Sequence, residues 1–184
     1  MEPMSVKPKK NLTYDQLAER IRGIKLLALD VDGVLTDDNI FFGPDGFELK
    51  QFNISDGFFI ALALRSGLEI AVISGRPSRA TSTRMKDLGV KHVFQEMKDK
   101  RKQILPLLEK LEIRHSEVAF VGNEILDIGL AKEVGLSIAV ADAAVELKEV
   151  VDYVTEAKGG RGAVREVIKA YFRGKNLDPA AFLI

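Results

Sequence analysis

The sequence contains no cysteine and only two histidines, His92 and His115. Without cysteine there is no disulfide, no thiolate nucleophile and no zinc–thiolate site. Two histidines leave little room for a histidine-rich metal site or a histidine-based triad, and both read as surface or strand-edge residues. No apolar stretch approaches the roughly 18–20 residues of a membrane span. Residues 1–11 are polar and basic and lack the apolar centre of a signal peptide, so they read as a flexible arm. An excess of one charge sign is missing too, with 27 Lys and Arg against 27 Asp and Glu. Bulk charge therefore points to neither nucleic acid nor a membrane surface as a partner. The default setting is the cytoplasm. What remains for chemistry is carboxylate, lysine, arginine, serine and threonine.

What is present is ordinary globular material: 184 residues, 46% hydrophobic and 29% charged. That suits one domain around a single core, here over residues 12–174. Short continuous apolar runs recur: Lys25-Leu-Leu-Ala-Leu-Asp30, Glu69-Ile-Ala-Val-Ile-Ser74, Lys91-His-Val-Phe-Gln95, Glu117-Val-Ala-Phe-Val121, Ser137-Ile-Ala-Val140 and Val151-Asp-Tyr-Val154. Such runs suit strands buried on both faces of a parallel sheet. Helical periodicity fills the gaps at 58–66, 78–88, 100–111, 127–134 and 144–150, with Gly67, Gly89 and Gly135 where helices should end. Thr13 is positioned to cap a first short helix. The alternation predicts an α/β fold, a Rossmann-like doubly wound parallel sheet with helices on both faces. One segment departs from it. Residues 39–42 and 47–52 flank Gly43-Pro-Asp-Gly46, which predicts a small β-hairpin insertion exposing aromatic side chains. A last helix runs to about residue 172, and the tail at 175–184 has no clear pattern.

In open parallel sheets ligands sit beyond the carboxyl ends of the strands. Here those ends carry Asp30 and Asp32, Ser74-Gly75-Arg76, Lys98 and Lys100, and Gly122-Asn123-Glu124 with Asp127 close by. Two carboxylates spaced by one residue can face one site, and they repel unless a proton or cation lies between them. Mg²⁺, a hard cation with oxygen ligands, answers that need. One aspartate can then attack phosphorus while the other protonates the leaving oxygen and later activates water. Ser74, its neighbouring backbone N–H and a lysine would stabilise the phosphate oxygens.

These residues carry a resemblance. Asp30-Val-Asp-Gly-Val-Leu-Thr36 resembles the first motif of the haloacid dehalogenase-like hydrolases, Ile73-Ser-Gly-Arg76 the second, Lys100 the third and Gly122-Asn-Glu-Ile-Leu-Asp127 the fourth. Asp56-Gly57, Val140-Ala-Asp-Ala143, Asp152-Tyr-Val-Thr155 and Gly159-Gly-Arg-Gly-Ala-Val-Arg-Glu166 are similar to the subgroup of 3-deoxy-D-manno-octulosonate 8-phosphate phosphatases. The resemblance implies a fold with no cap domain and a homotetramer in which a neighbouring subunit helps close the site. It implies Mg²⁺-dependent hydrolysis of a phosphorylated sugar acid in lipopolysaccharide biosynthesis, through an aspartyl-phosphate. Asp30 would be nucleophile and metal ligand, and Asp32 general acid/base with its backbone carbonyl on the metal. Thr36, Ser74, Gly75 and Lys100 would serve the phosphate and the reacting carboxylate. Asp56, Arg76 and Arg161 would belong to the substrate site, Arg161 from another subunit. Asn123 stands where the family carries a metal-binding aspartate. Its amide oxygen can coordinate Mg²⁺ without adding charge, which leaves Glu124 or Asp127 to supply it.

Gly-Asn-Glu also resembles phosphatases of nine-carbon keto-acid phosphates, the nonulosonates. A non-catalytic accessory subunit, similar to the small subunit of phenylphosphate carboxylase, is the rival from another class.

Overall fold

The computed structural model describes residues 11–96 and 99–183. The expected arm at residues 1–11 lies almost wholly outside the described residues, as does Lys98. Element order is α1 (Tyr14–Ile21), β1 (Leu26–Leu29), β2 (Phe41–Phe42), β3 (Glu48–Leu49), α2 (Ile54–Arg65), β4 (Glu69–Ile73), α3 (Arg79–Leu88) and β5 (His92–Phe94). It continues with α4 (Lys100–Leu111), β6 (Val118–Gly122), α5 (Ile128–Ala131), β7 (Leu136–Ala139), α6 (Val145–Lys148), β8 (Tyr153–Val154) and α7 (Ala163–Lys175).

Six strands form one parallel sheet in the order β5-β4-β1-β6-β7-β8. Every residue of β1, β6 and β7 is buried, which is why these strands are continuous apolar runs without alternation. The chain winds outward from β1 through β4 to β5, then returns to the other side of β1 and winds through β6, β7 and β8. Right-handed crossovers put α2 and α3 on one face and α4, α5 and α6 on the other. α7 packs against α1 and α2 on the first face. The reversal of direction falls between β1 and β6, so the switch point lies beside Asp30 and Asn123. The hairpin β2–β3 stands between β1 and α2, and among the described residues there is no cap domain.

Local chemistry sets the element ends. Thr13 accepts from the Gln16 backbone N–H while the Gln16 side chain accepts from Thr13, a reciprocal cap on α1. α2 starts at Ile54, four residues before the expected 58, because the Asn53 side chain accepts from the Asp56 N–H. α5 is a single turn behind a 3₁₀ turn at Ile125–Asp127 and ends well short of 134. Gly67 and Gly89 do take left-handed backbone. Gly135 does not. Its role is close approach, since a Cβ there would sit 2.2 Å from the Ser116 carbonyl oxygen. The tail is ordered against expectation. A 3₁₀ turn at Pro179–Phe182 brings the Phe182 ring to 5.7 Å from that of Phe172, and Arg65 donates to the Phe182 carbonyl. Among the described residues no helix is long and apolar enough to cross a membrane.

The entrance to β6 is held by charge. Glu117 accepts from Arg114 and pairs with Lys25 at 2.9 Å, and these partners hold its carboxyl down to about 2 from an ordinary 4.5. A depressed carboxyl stabilises the fold above its unfolded value and ceases to do so as the pH falls through its folded one. Glu117→Gln should therefore lower the melting temperature at pH 7, with the deficit against wild type closing between pH 4.5 and pH 2. Melts across that range check it, and a deficit independent of pH would refute it.

Candidate active site

β1 delivers Asp30 to the sheet rim, and the backbone then turns sharply through Val31–Gly33. Gly33 takes a φ of 79°, and a Cβ there would lie 1.9 Å from Asn123 Nδ2, so the turn packs directly on the end of β6. Asp30 is buried, with Oδ1 accepting from the Val31 N–H at 2.7 Å and Oδ2 lying 2.9 Å from Lys100 Nζ. Lys100 opens α4 and donates to Asp127 Oδ1 at 2.6 Å. One buried ammonium thus joins two carboxylates.

Burial pushes the Asp30 carboxyl up to about 6 from 3.8, with Lys100 opposing and Asp127 adding to the rise. Burial pulls Lys100 down, but Asp30 and Asp127 outweigh it and the ammonium ends above its ordinary value.

These groups line a cavity of about 490 Å³ with Asp32, Asp38, Ser74, Gly75, Arg76, Asn123, Glu124 and Leu126. The structure brings together Asp30, Asp32, Ser74, Gly75, Arg76, Lys100, Asn123 and Asp127 from the ends of β1, β4 and β6 and the start of α4. Ser74 is buried, its Oγ donating to the Arg76 carbonyl and accepting from the Arg76 N–H, so it shapes the turn that presents Gly75.

Three expected site residues stand elsewhere. Thr36 is fully buried under the Val31–Gly33 turn, its Oγ1 accepting from the Gly33 N–H and donating to the Val31 carbonyl, both at 3.4 Å. It braces the turn from within and does not face the cavity. Asp56 accepts from the N–H groups of Gly162 and Arg165 at 3.2 and 2.7 Å, which makes it a cap on the start of α7. Arg161 pairs with Asp37 at 3.1 Å and lines a different cleft, with Tyr14, Arg165 and Lys169. Asp127 is on the cavity wall, but its oxygens are committed. Oδ1 takes Lys100, and Oδ2 accepts from the N–H groups of Asn123 and Glu124. Expected as a cation ligand, it is held in this structure by hydrogen bonds that tie Lys100 to the turn after β6.

Asn123 passes a test for a bound cation. Its Oδ1 is buried without a hydrogen-bond partner, and its amide faces the Asp30–Gly33 turn. A buried acceptor left unpaired is costly unless a ligand fills the gap. Among the described residues no three carboxylate or histidine side chains converge as a metal cluster. Oxygen donors from Asp30, the Asp32 segment and Asn123 are nonetheless the hard set that Mg²⁺ takes.

Sequence reading missed Asp38, Glu48, Lys50 and Leu126. Lys50 Nζ lies 2.5 Å from Asp32 Oδ1, and Glu48 accepts from Ser78 Oγ at 2.6 Å. A lysine and a glutamate on an aromatic-rich hairpin carry no signal that separates them from solvated charges.

The glycines at 159 and 160 support the site from behind. Gly160 N–H donates to the Val34 carbonyl, and a Cβ on Gly159 would lie 1.8 Å from the Gly33 carbonyl oxygen. Gly159→Ala must therefore push the Val31–Gly33 turn. We expect a loss of about 1–3 kcal/mol in stability and about 10²-fold in turnover, the scale of an ångström-level misplacement. Gly23→Ala, where an added Cβ meets nothing within 4 Å, is the control. Equal turnover in the two variants would refute the prediction.

The fold and rim define a class, the haloacid dehalogenase-like hydrolases, whose family model matches residues 92–168. A 3-deoxy-D-manno-octulosonate 8-phosphate phosphatase from Escherichia coli K12 is 47% identical over 148 residues, 80% of this chain and 79% of that protein. The chain belongs to that phosphatase family of haloacid dehalogenase-like hydrolases. The crystal structure of the Moraxella catarrhalis phosphatase, in complex with magnesium ion, phosphate ion and KDO, superposes with a TM-score of 0.85 at 35% identity, covering 88% of this chain and 93% of that one. The cobalt-bound Haemophilus influenzae phosphatase has a TM-score of 0.82 at 32% identity, covering 85% and 92%.

Proposed function

We propose that this chain is a Mg²⁺-dependent phosphomonoesterase acting on 3-deoxy-D-manno-octulosonate 8-phosphate. The observation that carries the reading is the buried Asp30–Lys100–Asp127 array at the switch point, with the unpaired Asn123 Oδ1 beside it. Asp30, the Asp32 backbone carbonyl and Asn123 would hold Mg²⁺, which supplies charge neutralisation to the phosphate when bound. Asp30 attacks phosphorus and the bond to the sugar oxygen breaks. That oxygen takes a proton from Asp32, leaving the phosphoryl group on Asp30. Water then gives a proton to Asp32 and attacks phosphorus. The phosphorus–Asp30 bond breaks, inorganic phosphate leaves, and Asp30 is restored. Lys100, Ser74 and the Gly75 N–H stabilise the charge on the transferring group. Arg76, at the cavity rim, faces the sugar carboxylate.

The same reading makes the protein a cytoplasmic homotetramer in lipopolysaccharide biosynthesis. Support for assembly comes from the hairpin, where Phe41, Phe42 and Phe47 are 55%, 68% and 60% exposed, beside Leu49, Ile54 and Phe58. Apolar exposure of this kind marks an interface. Arg161 lines a cleft other than the Asp30 cavity and is more than half exposed beside Asp37, which suits a contact with a neighbour's site.

The test is phosphate release from octulosonate 8-phosphate and from a nonulosonate 9-phosphate, with and without Mg²⁺. Mg²⁺-dependent turnover favouring the eight-carbon ester is expected. Preference for the nine-carbon ester would reassign the substrate, and no turnover on either would favour a non-catalytic subunit.

A further inference from the structure

Lys50 follows β3, 18 residues after the aspartate it contacts, and its side chain is fully buried. Its ammonium lies 2.5 Å from Asp32 Oδ1 and 3.8 Å from Glu48 Oε1. Glu48 continues the chain, accepting from Ser78 Oγ at 2.6 Å and pairing with Arg76 at 3.4 Å. Ser78 in turn caps α3, accepting from the Thr81 N–H. An unbroken run of polar contacts therefore links Asp32 to the hairpin and the hairpin to the start of α3. A buried ammonium is tolerated only where carboxylates compensate it, so the lysine cannot move without its partners. Asp32 has no other side-chain partner among the described residues. Among those residues Lys50 is the one side chain that orients it.

The geometry points to Lys50 as a positioning residue for proton transfer: it donates to Asp32 Oδ1 and so turns Oδ2, the oxygen that carries the proton, toward the leaving oxygen, and the seating of the hairpin on the rim sets that orientation. The inference rests on the phosphatase reading above, in which Asp32 is the acid. Lys50 itself touches no reacting atom. The hairpin thereby becomes part of the catalytic machinery as well as an exposed apolar surface, and whatever covers it bears on the acid through a single side chain.

Leaving-group dependence separates this role from a merely structural one. A sugar alkoxide needs a proton to leave, whereas p-nitrophenolate does not. Single-turnover release of the leaving group isolates the first chemical step from the hydrolysis that follows. Lys50→Met should slow release from the alkyl ester by about 10²-fold, at the lower end of what a general acid contributes. Its effect on p-nitrophenyl phosphate should stay below about threefold, and KM should change little for either. The Asp32→Asn/Lys50→Met double variant should be no slower on the alkyl ester than Asp32→Asn alone, because two residues acting as one unit are not additive. Equal losses on the two esters, or losses that multiply in the double variant, would overturn the inference while leaving the phosphatase reading intact. If wild type released neither leaving group, both would fall together. Should Lys50→Met not fold, Glu48→Gln loosens the lysine from its other side and is read with the same pair of esters.

Discussion

Asp30→Asn should lose phosphate release by at least about 10⁴-fold while the protein stays folded. An amide cannot attack phosphorus as a carboxylate does, so the first step has no nucleophile. The substitution is nearly isosteric. Asn Oδ1 can still accept from the Val31 N–H, and Lys100 keeps Asp127 at 2.6 Å. Removing one of two carboxylates from a buried site also relieves their mutual repulsion, so the melting temperature should hold or rise. A second measurement makes the prediction specific. Acid-quenched wild type incubated with a phosphate-labelled ester should carry label on the protein, and the variant should carry none. Full turnover in Asp30→Asn, or label retained by it, would remove Asp30 from the nucleophile's role.

Lys100→Met should cost both stability and activity, because it leaves Asp30 and Asp127 facing one another without their shared cation. Breaking a buried ion pair from one side is a loss of about 3–5 kcal/mol. The pH dependence carries a definite sign. The Asp30 carboxyl already sits at about 6, above its ordinary 3.8, because burial outweighs Lys100. Taking the ammonium away raises it further. A carboxyl whose folded value exceeds its unfolded one destabilises the fold increasingly as the pH climbs between the two. The melting deficit of Lys100→Met should therefore be small near pH 4 and large near pH 7.5. Residual turnover needs Asp30 ionised, so the acid limb of its pH–rate profile should move upward relative to wild type. A deficit that shrinks as pH rises would contradict this account of the charge array.

The residues behind the family resemblance divide in two in the folded chain. Asp30, Asp32, Ser74, Lys100 and Asn123 meet at the cavity. Most of the others build the frame around it. Asp142 accepts from the Gly159 N–H, and Asp152 accepts from the Ser137 N–H and hydroxyl. Thr155 accepts from the Ala141 N–H, Glu166 accepts from the Tyr153 hydroxyl, and Asp56 caps α7. Motif spacing cannot distinguish the two groups. A carboxylate that caps a buried helix is as constrained as one that attacks phosphorus, and both look like isolated acids in an apolar context. That is why Thr36 and Asp56, expected at the substrate, carry no local mark of the hydrogen bonds they make to the Val31–Gly33 turn and to the start of α7.

The sequence by itself determined the sheet, the helices and the chemistry of the rim. Short continuous apolar runs suit strands covered on both faces, and where Asp30, Ser74 and the Gly122-Asn123-Glu124 turn follow such runs they emerge at the same edge of the sheet. Tertiary structure decided what lies across that edge. The order β5-β4-β1-β6-β7-β8 puts Asn123 against Gly33 and leaves its Oδ1 unpaired. The same packing commits both oxygens of Asp127 and carries Arg161 to another cleft. It also folds Lys50 under the hairpin onto Asp32. These are contacts between residues far apart in the chain. Their hydrogen-bond partners and burial are set by how strands and loops meet in space, and no local pattern of residues encodes that meeting.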